Sequence, residues 1–240
     1  MKFGQFCPIA KSSEILGEKW TLLIIRELLM GGTRFNELQR GLGMISPAIL
    51  TKRLNSLVAH ELVIKKKISG QNGYQYFPTN SAKELQPILM SLGHWGMRWT
   101  RKYLTDNDFD ADFLMLYLKR SINVENLTSP ETIIKFHFTD LKQQPDWWLI
   151  ANQSAENVAD IKTDSTVDIC TVDPGREVDV YFACTVKCLS NIWMGESSYK
   201  KELKTGNLKI VGRSDLTKNV STWLSNCQFD VNSGATAPQN

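Results

Sequence analysis

Hydrogen-bonding side chains on one side of a short segment are the first chemistry this sequence offers. In the stretch that begins Ser46-Pro47, the residues Ala48, Thr51, Lys52, Asn55 and Ala59 fall on one face at about 100° per residue. Leu50, Leu54 and Leu57 fall on the other. Such a polar face, with donors, acceptors and one positive charge, suits the major groove of DNA, where base edges offer matching groups and a methyl. The same pattern also describes an ordinary surface helix, so the flanking elements have to choose between the two.

Groups that could react are sparse. His60, His94 and His137 are scattered, with no cysteine or carboxylate at a metal-ligand spacing. Cys184-x-x-x-Cys188 is neither a CxxC redox pair nor half of a zinc set, and reads as buried thiols. There is no glycine-rich phosphate loop and no serine nucleophile motif. The expectation is a protein that is not an enzyme and needs no metal or cofactor. Cys7 is the open case. Beside a helix start and basic residues its thiol could be a redox sensor with a lowered pKa. It could equally be a small buried hydrophobe.

The elements that must position the polar face follow from punctuation and period. Ser12 or Ser13 can cap a short helix that Gly17 interrupts. Trp20, Leu23, Ile24 and Leu28 repeat at helical spacing up to Gly31-Gly32. Thr33 caps the next helix, with Phe35, Leu38 and Leu42 inward. Gly41 to Ile45 turns the chain into the helix that starts at Ser46, a helix-turn-helix pattern. Lys65-Lys66-Lys67 and Tyr74 to Pro78 then flank Asn72-Gly73, a hairpin signal. A basic hairpin at this point is the wing of a winged-helix domain, its lysines set against phosphates, or else a solvated edge strand. Ser81 to Glu84 reads as a capping box for a long helix from Leu85 to about Tyr103. Leu85, Ile88, Leu92, Trp95 and Trp99 make its seam, for a subunit interface or for an internal core.

Charge divides along the chain. Residues 1–104 carry 15 Lys/Arg against 6 Asp/Glu, and residues 105–240 carry 13 against 19. The halves are therefore +9 and −6 within a net charge of +3. A basic half points to nucleic acid or an anionic surface. No apolar run reaches the length of a membrane span, the first residues lack the apolar core of a signal peptide, and five cysteines make no disulfide framework. The expected location is the cytoplasm, with no stable membrane insertion.

Several stretches carry a resemblance. Phe6-Cys7-Pro8-Ile9, Gly17 to Ile24, Arg26-Glu27-Leu28, Arg34 to Leu38, Ile45 to Leu54 and Leu92 to Trp95 resemble, in order and spacing, the HxlR-type winged-helix transcription regulators of bacteria and archaea. The resemblance covers about residues 5–103. It implies a homodimeric, double-stranded-DNA-binding regulator with a recognition helix over about Ser46–Ala59 and terminal helices at the dimer interface. The expected DNA-contacting set is Arg34, Ser46, Ala48, Thr51, Lys52, Arg53, Asn55, Lys65, Lys66 and Lys67. The expected dimer set is Phe6, Leu92, Trp95 and Trp99. In parts of that family the cysteine matching Cys7 responds to electrophiles or oxidants. Many members are little longer than this domain, whereas this chain continues for another 137 residues.

After the acidic joint at Thr105 to Asp112 comes a short helix, Phe113–Arg120, and then the period changes to two. Strands are predicted at Thr132–Phe138, Trp147–Ala151, Asp168–Thr171 and Asp179–Cys184. The last two flank Asp173-Pro174-Gly175 and so should pair. Helices are predicted after Val186 and near Lys200–Leu203, then a strand over Leu208–Val211 and a closing helix over Asp215–Leu224. Asp179 to Phe182, Leu189 to Glu196, Thr205 to Gly212 and the final helix are similar to the sterol-carrier-protein type of domain. That resemblance implies a sheet covered by helices around an apolar tunnel that holds a lipid-like or other apolar small molecule. Phe136, Trp147, Trp148, Phe182, Trp193 and Trp223 are candidate lining groups, or plain core. The expected fold is thus α+β, with a winged helix-turn-helix domain over 1–104, a linker and short helix over 105–129, a sterol-carrier-like domain over 130–230 and a tail over 231–240. The expected function is a dimeric DNA-binding regulator modulated by an apolar ligand. An apolar-ligand or lipid carrier, or a regulator sensing through Cys7, are the alternatives.

Overall fold

The computed structural model describes residues 2–70, 72–153 and 167–229, and the chain divides into two compact units at Arg101/Lys102. The expected tail lies outside the described residues.

The first unit is helical with one hairpin. Helix α1 (Pro8–Leu16) starts on Pro8, whose fixed φ suits a first helical position, with Cys7 at the cap. Neither Ser12 nor Ser13 caps it, because Ser12 lies inside the helix and its hydroxyl donates to the Pro8 carbonyl at 2.6 Å. Helix α2 (Thr21–Leu29) is entered through Trp20 at φ +79°. It buries Ile24, Ile25 and Leu28, while Leu23, expected inward, is exposed. Helix α3 (Phe35–Gly41) is closed by Glu37, whose carboxylate accepts the Thr33 and Arg34 N–H groups at 2.9 and 2.8 Å. Arg34, not Thr33, takes the cap position. Helix α4 (Pro47–Ala59) is capped by Ser46, whose hydroxyl accepts the Ile49 N–H at 3.3 Å.

Gly41 and Glu27 decide how α2 and α3 meet. Glu27 is fully buried and its carboxylate accepts from the Arg26 guanidinium at 2.9 and 3.1 Å. A Cβ on Gly41 would stand 2.1 Å from that carboxylate. Any side chain at Gly41 would have to displace the buried Glu27 carboxylate.

Strands β1 (Val63–Lys67) and β2 (Tyr74–Pro78) pair antiparallel, with Lys65 opposite Tyr76, Lys66 opposite Gln75 and Lys67 opposite Tyr74. Arg34 bridges to Gln75, and the Tyr76 N–H donates to the Thr33 carbonyl at 2.9 Å, so the hairpin is tied to the start of α3. A short helix, α5 (Asn80–Lys83), follows with Thr79 as its cap, since Thr79 and not Ser81 has the extended backbone a cap requires. Helix α6 (Gln86–Trp99) begins with Pro87 in its first turn, where a missing N–H costs no helical hydrogen bond. Leu38, Leu42, Ile45, Leu50, Leu54, Leu57, Val63 and Tyr76 join the α2 residues in one core, against which Leu85 and Leu89 pack.

The second unit is a five-stranded sheet. Helix α7 (Ala111–Ser121), capped by Asp110, precedes strands β3 (Glu131–Phe138), β4 (Asp146–Asn152), β5 (Val167–Cys170) and β6 (Val180–Cys184). Helices α8 (Val186–Trp193) and α9 (Tyr199–Thr205), strand β7 (Leu208–Gly212) and the short helices α10 (Ser214–Thr217) and α11 (Val220–Trp223) complete it. The strand order is β5-β4-β3-β6-β7, antiparallel except for the parallel β3–β6 pair.

Two expectations fail here. Strands β5 and β6 do not pair; they lie on opposite sides of β4–β3. The Asp173 carboxylate does accept the Gly175 N–H at 2.8 Å, so the turn exists, but a turn sets local direction only. Strand β6 has no charged residue and finds neighbours on both sides, while β5, with Asp168 exposed, takes an edge. The closing helix is also broken in two. Asn219 turns its side-chain amide onto the Asp215 carbonyl at 3.0 Å and interrupts the helix between α10 and α11.

The core lies on one face of this sheet. Phe136 and Phe182, neighbours across the parallel pair, stack at 4.9 Å between centroids, and Trp223 meets Phe182 edge-on at 6.2 Å. Such pairs contribute about 0.5–1.5 kcal/mol beyond burial. Residues from α7, α8, α10 and α11 cover them. No helix among the described residues is long and apolar enough to cross a membrane.

Candidate nucleic-acid interface

Helix α4 has two chemically opposite sides. Leu50, Leu54 and Leu57 are at most 2 % exposed and anchor the helix in the core. Ala48, Thr51, Lys52, Asn55 and Ala59 are all exposed. Ser46 is spent on the cap, and its exposed hydroxyl remains at the helix start. Arg53 departs from the rest of the expected set. Its guanidinium pairs with Glu18 and donates from Nε to the Lys19 carbonyl at 3.1 Å, so it ties α4 to the α1–α2 turn.

Two exposed apolar residues lie beside the expected set. Ile49 is 41 % exposed on α4, and Met44, in the turn before it, is 95 % exposed. The angular position of Ile49, about 100° from both Ala48 and Leu50, is the signal that could have found it. Met44 follows Gly43, whose φ of +60° turns the chain outward.

In the hairpin, strand alternation puts Lys65 and Lys67 on one face and Lys66 on the other. Aromatic rings brace two of them. The Lys65 ammonium sits 4.1 Å from the Tyr74 ring centre and the Lys66 ammonium 5.4 Å from that of Phe77. All three lysines are exposed, as is Arg34 at the foot of α3. The geometry groups Arg34 with the hairpin through its bridge to Gln75.

The expected dimer residues are exposed and apolar. On α6, Ile88, Leu92, Trp95 and Trp99 lie outside the core, with Trp95 51 % and Trp99 61 % exposed. Leu85, expected in the same seam, packs inward with Leu89. Phe6 and Ile9 are likewise exposed. Cys7 stands at the cap of α1 and is half-buried.

The six expected lining residues do not form one group. Phe136, Trp147, Phe182 and Trp223 are core. Trp148 faces the other side of the sheet with Ile133 and Ile150, as neighbouring strand residues must. Trp193 lines a cavity of about 160 Å³ with Phe109, Phe113, Leu114 and Met194, and its indole N–H donates to Ser121 at 2.9 Å.

Three short helices, the last with an outward polar face, followed by a basic hairpin, define the first unit as a winged helix. A model of the HxlR-like helix-turn-helix family matches residues 15–103. The chain is 32 % identical over 102 residues to the uncharacterized HTH-type transcriptional regulator YvaP of Bacillus subtilis, covering 41 % of this chain and 94 % of that one. It is 31 % identical over 99 residues to the uncharacterized HTH-type transcriptional regulator sll1512 of Synechocystis, covering 40 % and 72 %. Among solved structures, the reduced form of the transcriptional regulator YodB from B. subtilis is similar at 28 % identity and a TM-score of 0.36, covering 41 % and 98 %. The chain belongs to the HxlR-like helix-turn-helix family.

Proposed function

We propose that this chain is a DNA-binding transcription regulator that acts in the cytoplasm as a homodimer. The observation that carries the reading is the two-sided α4, rooted by Leu50, Leu54 and Leu57 and polar where it meets solvent. In a two-fold pair, two such helices enter successive major grooves about 34 Å apart. Asn55 and Thr51 offer hydrogen bonds to base edges, and Ile49 and Ala48 suit a thymine methyl. Lys52, Arg34 and the hairpin lysines supply phosphate contacts, which give affinity and register without sequence reading.

The second unit is the effector module in this reading. Its sheet, with helices over the core face, and the sterol-carrier-type pattern support that role. The cavity beside Trp193 is smaller than the roughly 300–1,000 Å³ of drug-sized sites and close to that of an engineered cavity that takes benzene. A small apolar effector fits there. It acts only if it binds the DNA-competent and incompetent states unequally. Cys7, at a helix cap and partly open to solvent, is a second input, reached by thiol reagents.

Gel retardation on DNA upstream of the chain's own gene, repeated over a salt series, tests the reading. Asn55→Ala should cost about 1–3 kcal/mol on the preferred sequence and relax its preference. Lys65→Ala and Lys66→Ala probe opposite faces of the hairpin. The one that meets a phosphate should weaken binding on all sequences and flatten the salt slope by about one. If all three bind like the parent, the docking face is wrong. Liposome flotation without DNA retardation would replace the regulator by a lipid carrier.

A further inference from the structure

Cys184 and Cys188 are brought together in a way their spacing did not signal. Cys184 ends β6, and Cys188 stands in the first turn of α8, where its N–H donates to the Thr185 hydroxyl at 3.1 Å. The two thiols stand close enough for each to shift the ionisation of the other. Both line a cleft of about 680 Å³ that also holds Thr139, Asn191, Glu202 and Lys209. The cleft is far larger than a peroxide molecule, and both cysteines line it although each is mostly buried.

The two thiols are not equivalent. The neighbouring Cys184 thiol holds Cys188 below its ordinary pKa, against opposition from burial and Glu202. Cys188 and burial push the Cys184 thiol up. The Glu202 carboxylate is engaged elsewhere too, accepting from Ser197 and, at 2.8 Å, from Asn207. Asp140 accepts the Val186 N–H at 3.1 and 3.2 Å. Cys188 is also the more exposed of the two, 9 % against 3 %, so it is the attacking sulfur and Cys184 its resolving partner.

We propose that Cys184 and Cys188 are a redox-active dithiol, open through this cleft to hydroperoxides, that closes to an intramolecular disulfide. The Cys188 thiolate attacks one oxygen of hydrogen peroxide. The O–O bond breaks, hydroxide leaves and is protonated to water, and Cys188 becomes a sulfenic acid. The Cys184 sulfur then attacks the Cys188 sulfur, and its proton leaves with the sulfenic hydroxyl as a second water. Two thiols lose two electrons and the peroxide gains them. The new bond joins the end of β6 to the first turn of α8 and consumes both thiols. This site is separate from Cys7 and does not depend on DNA binding.

Trypsin makes the test direct, because it cuts at Lys187 between the two cysteines. The reduced full-length chain is treated with hydrogen peroxide, blocked with iodoacetamide and digested. The disulfide then appears as a link between the peptides 177–187 and 188–200, reversed by dithiothreitol. We expect it to form about tenfold faster in the native chain than in the chain unfolded in urea, because the fold holds the sulfurs together. In Cys184→Ser, which has no resolving thiol, Cys188 should be trapped by dimedone as the sulfenic acid. The proposal is overturned if the two peptides stay unlinked while Cys7 and Cys170 oxidise. It is overturned equally if linkage is no faster in the native chain, or if dimedone labels Cys7 but never Cys188 in the variant.

Discussion

Helices α4 and α6 belong to the same unit and have opposite outer faces. The outer face of α4 carries Ala48, Thr51, Lys52 and Asn55; that of α6 carries Ile88, Leu92, Trp95 and Trp99. Water satisfies the first face until a polar partner replaces it, so a polar ligand such as DNA can come and go. The second gains only by being covered, since each large apolar side chain contributes roughly 1.5–3 kcal/mol on burial. In the proposed reading the two helices have different partners, duplex DNA for α4 and a second copy of the unit for α6. A regulator reading a two-fold site needs both.

The comparison breaks first if the inner side of α4 is not what holds its outer side in place. Leu54→Ala should cost about 2–5 kcal/mol in urea unfolding, since Leu54 is 1 % exposed in the core. A loss under about 1 kcal/mol would mean that α4 is seated less firmly than its burial says. Next in size is α6. Trp95→Asp removes an exposed ring and adds a charge to the apolar face. Sedimentation should show the dimer weakened by roughly 1.5–3 kcal/mol or more, with the unfolding midpoint of the unit nearly unchanged. An unchanged mass would leave this face without its proposed partner.

How much of this was legible depends on how local the signal is. Ser46-Pro47 and the leucine spacing of α4 are local, and the helix begins and faces as they indicate. The seam of α6 was half legible. Its period was visible, but nothing in the sequence says that Leu85 turns inward while Ile88 turns outward; packing of Leu85 and Leu89 on the core decides that. The pairing of β5 with β6 was misread because a turn motif says nothing about which sheet edge is free. Buried Glu27 under Gly41 was invisible, since a carboxylate in a helix ordinarily reads as surface. The spacing of Cys184 and Cys188 matches no redox motif; the corner from β6 to α8 is what puts both on one cleft.

Neighbouring cations on α4 give the finest division. Lys52 and Arg53 are adjacent and carry the same charge, and both belong to the expected DNA-contacting set. Lys52 is exposed, whereas Arg53 is turned onto Glu18 and the Lys19 carbonyl. Removing Lys52 as Lys52→Ala should leave stability alone and flatten the salt dependence of DNA binding by about one unit of slope. Removing Arg53 as Arg53→Ala should do the reverse. It loses one hydrogen bond and a partly exposed ion pair, about 1 kcal/mol of stability, with the slope unchanged. Urea midpoints and salt titrations of the two variants, measured side by side, separate the roles. Equal slopes for both would return Arg53 to the DNA-contacting set, with the Glu18 pair giving way when DNA binds.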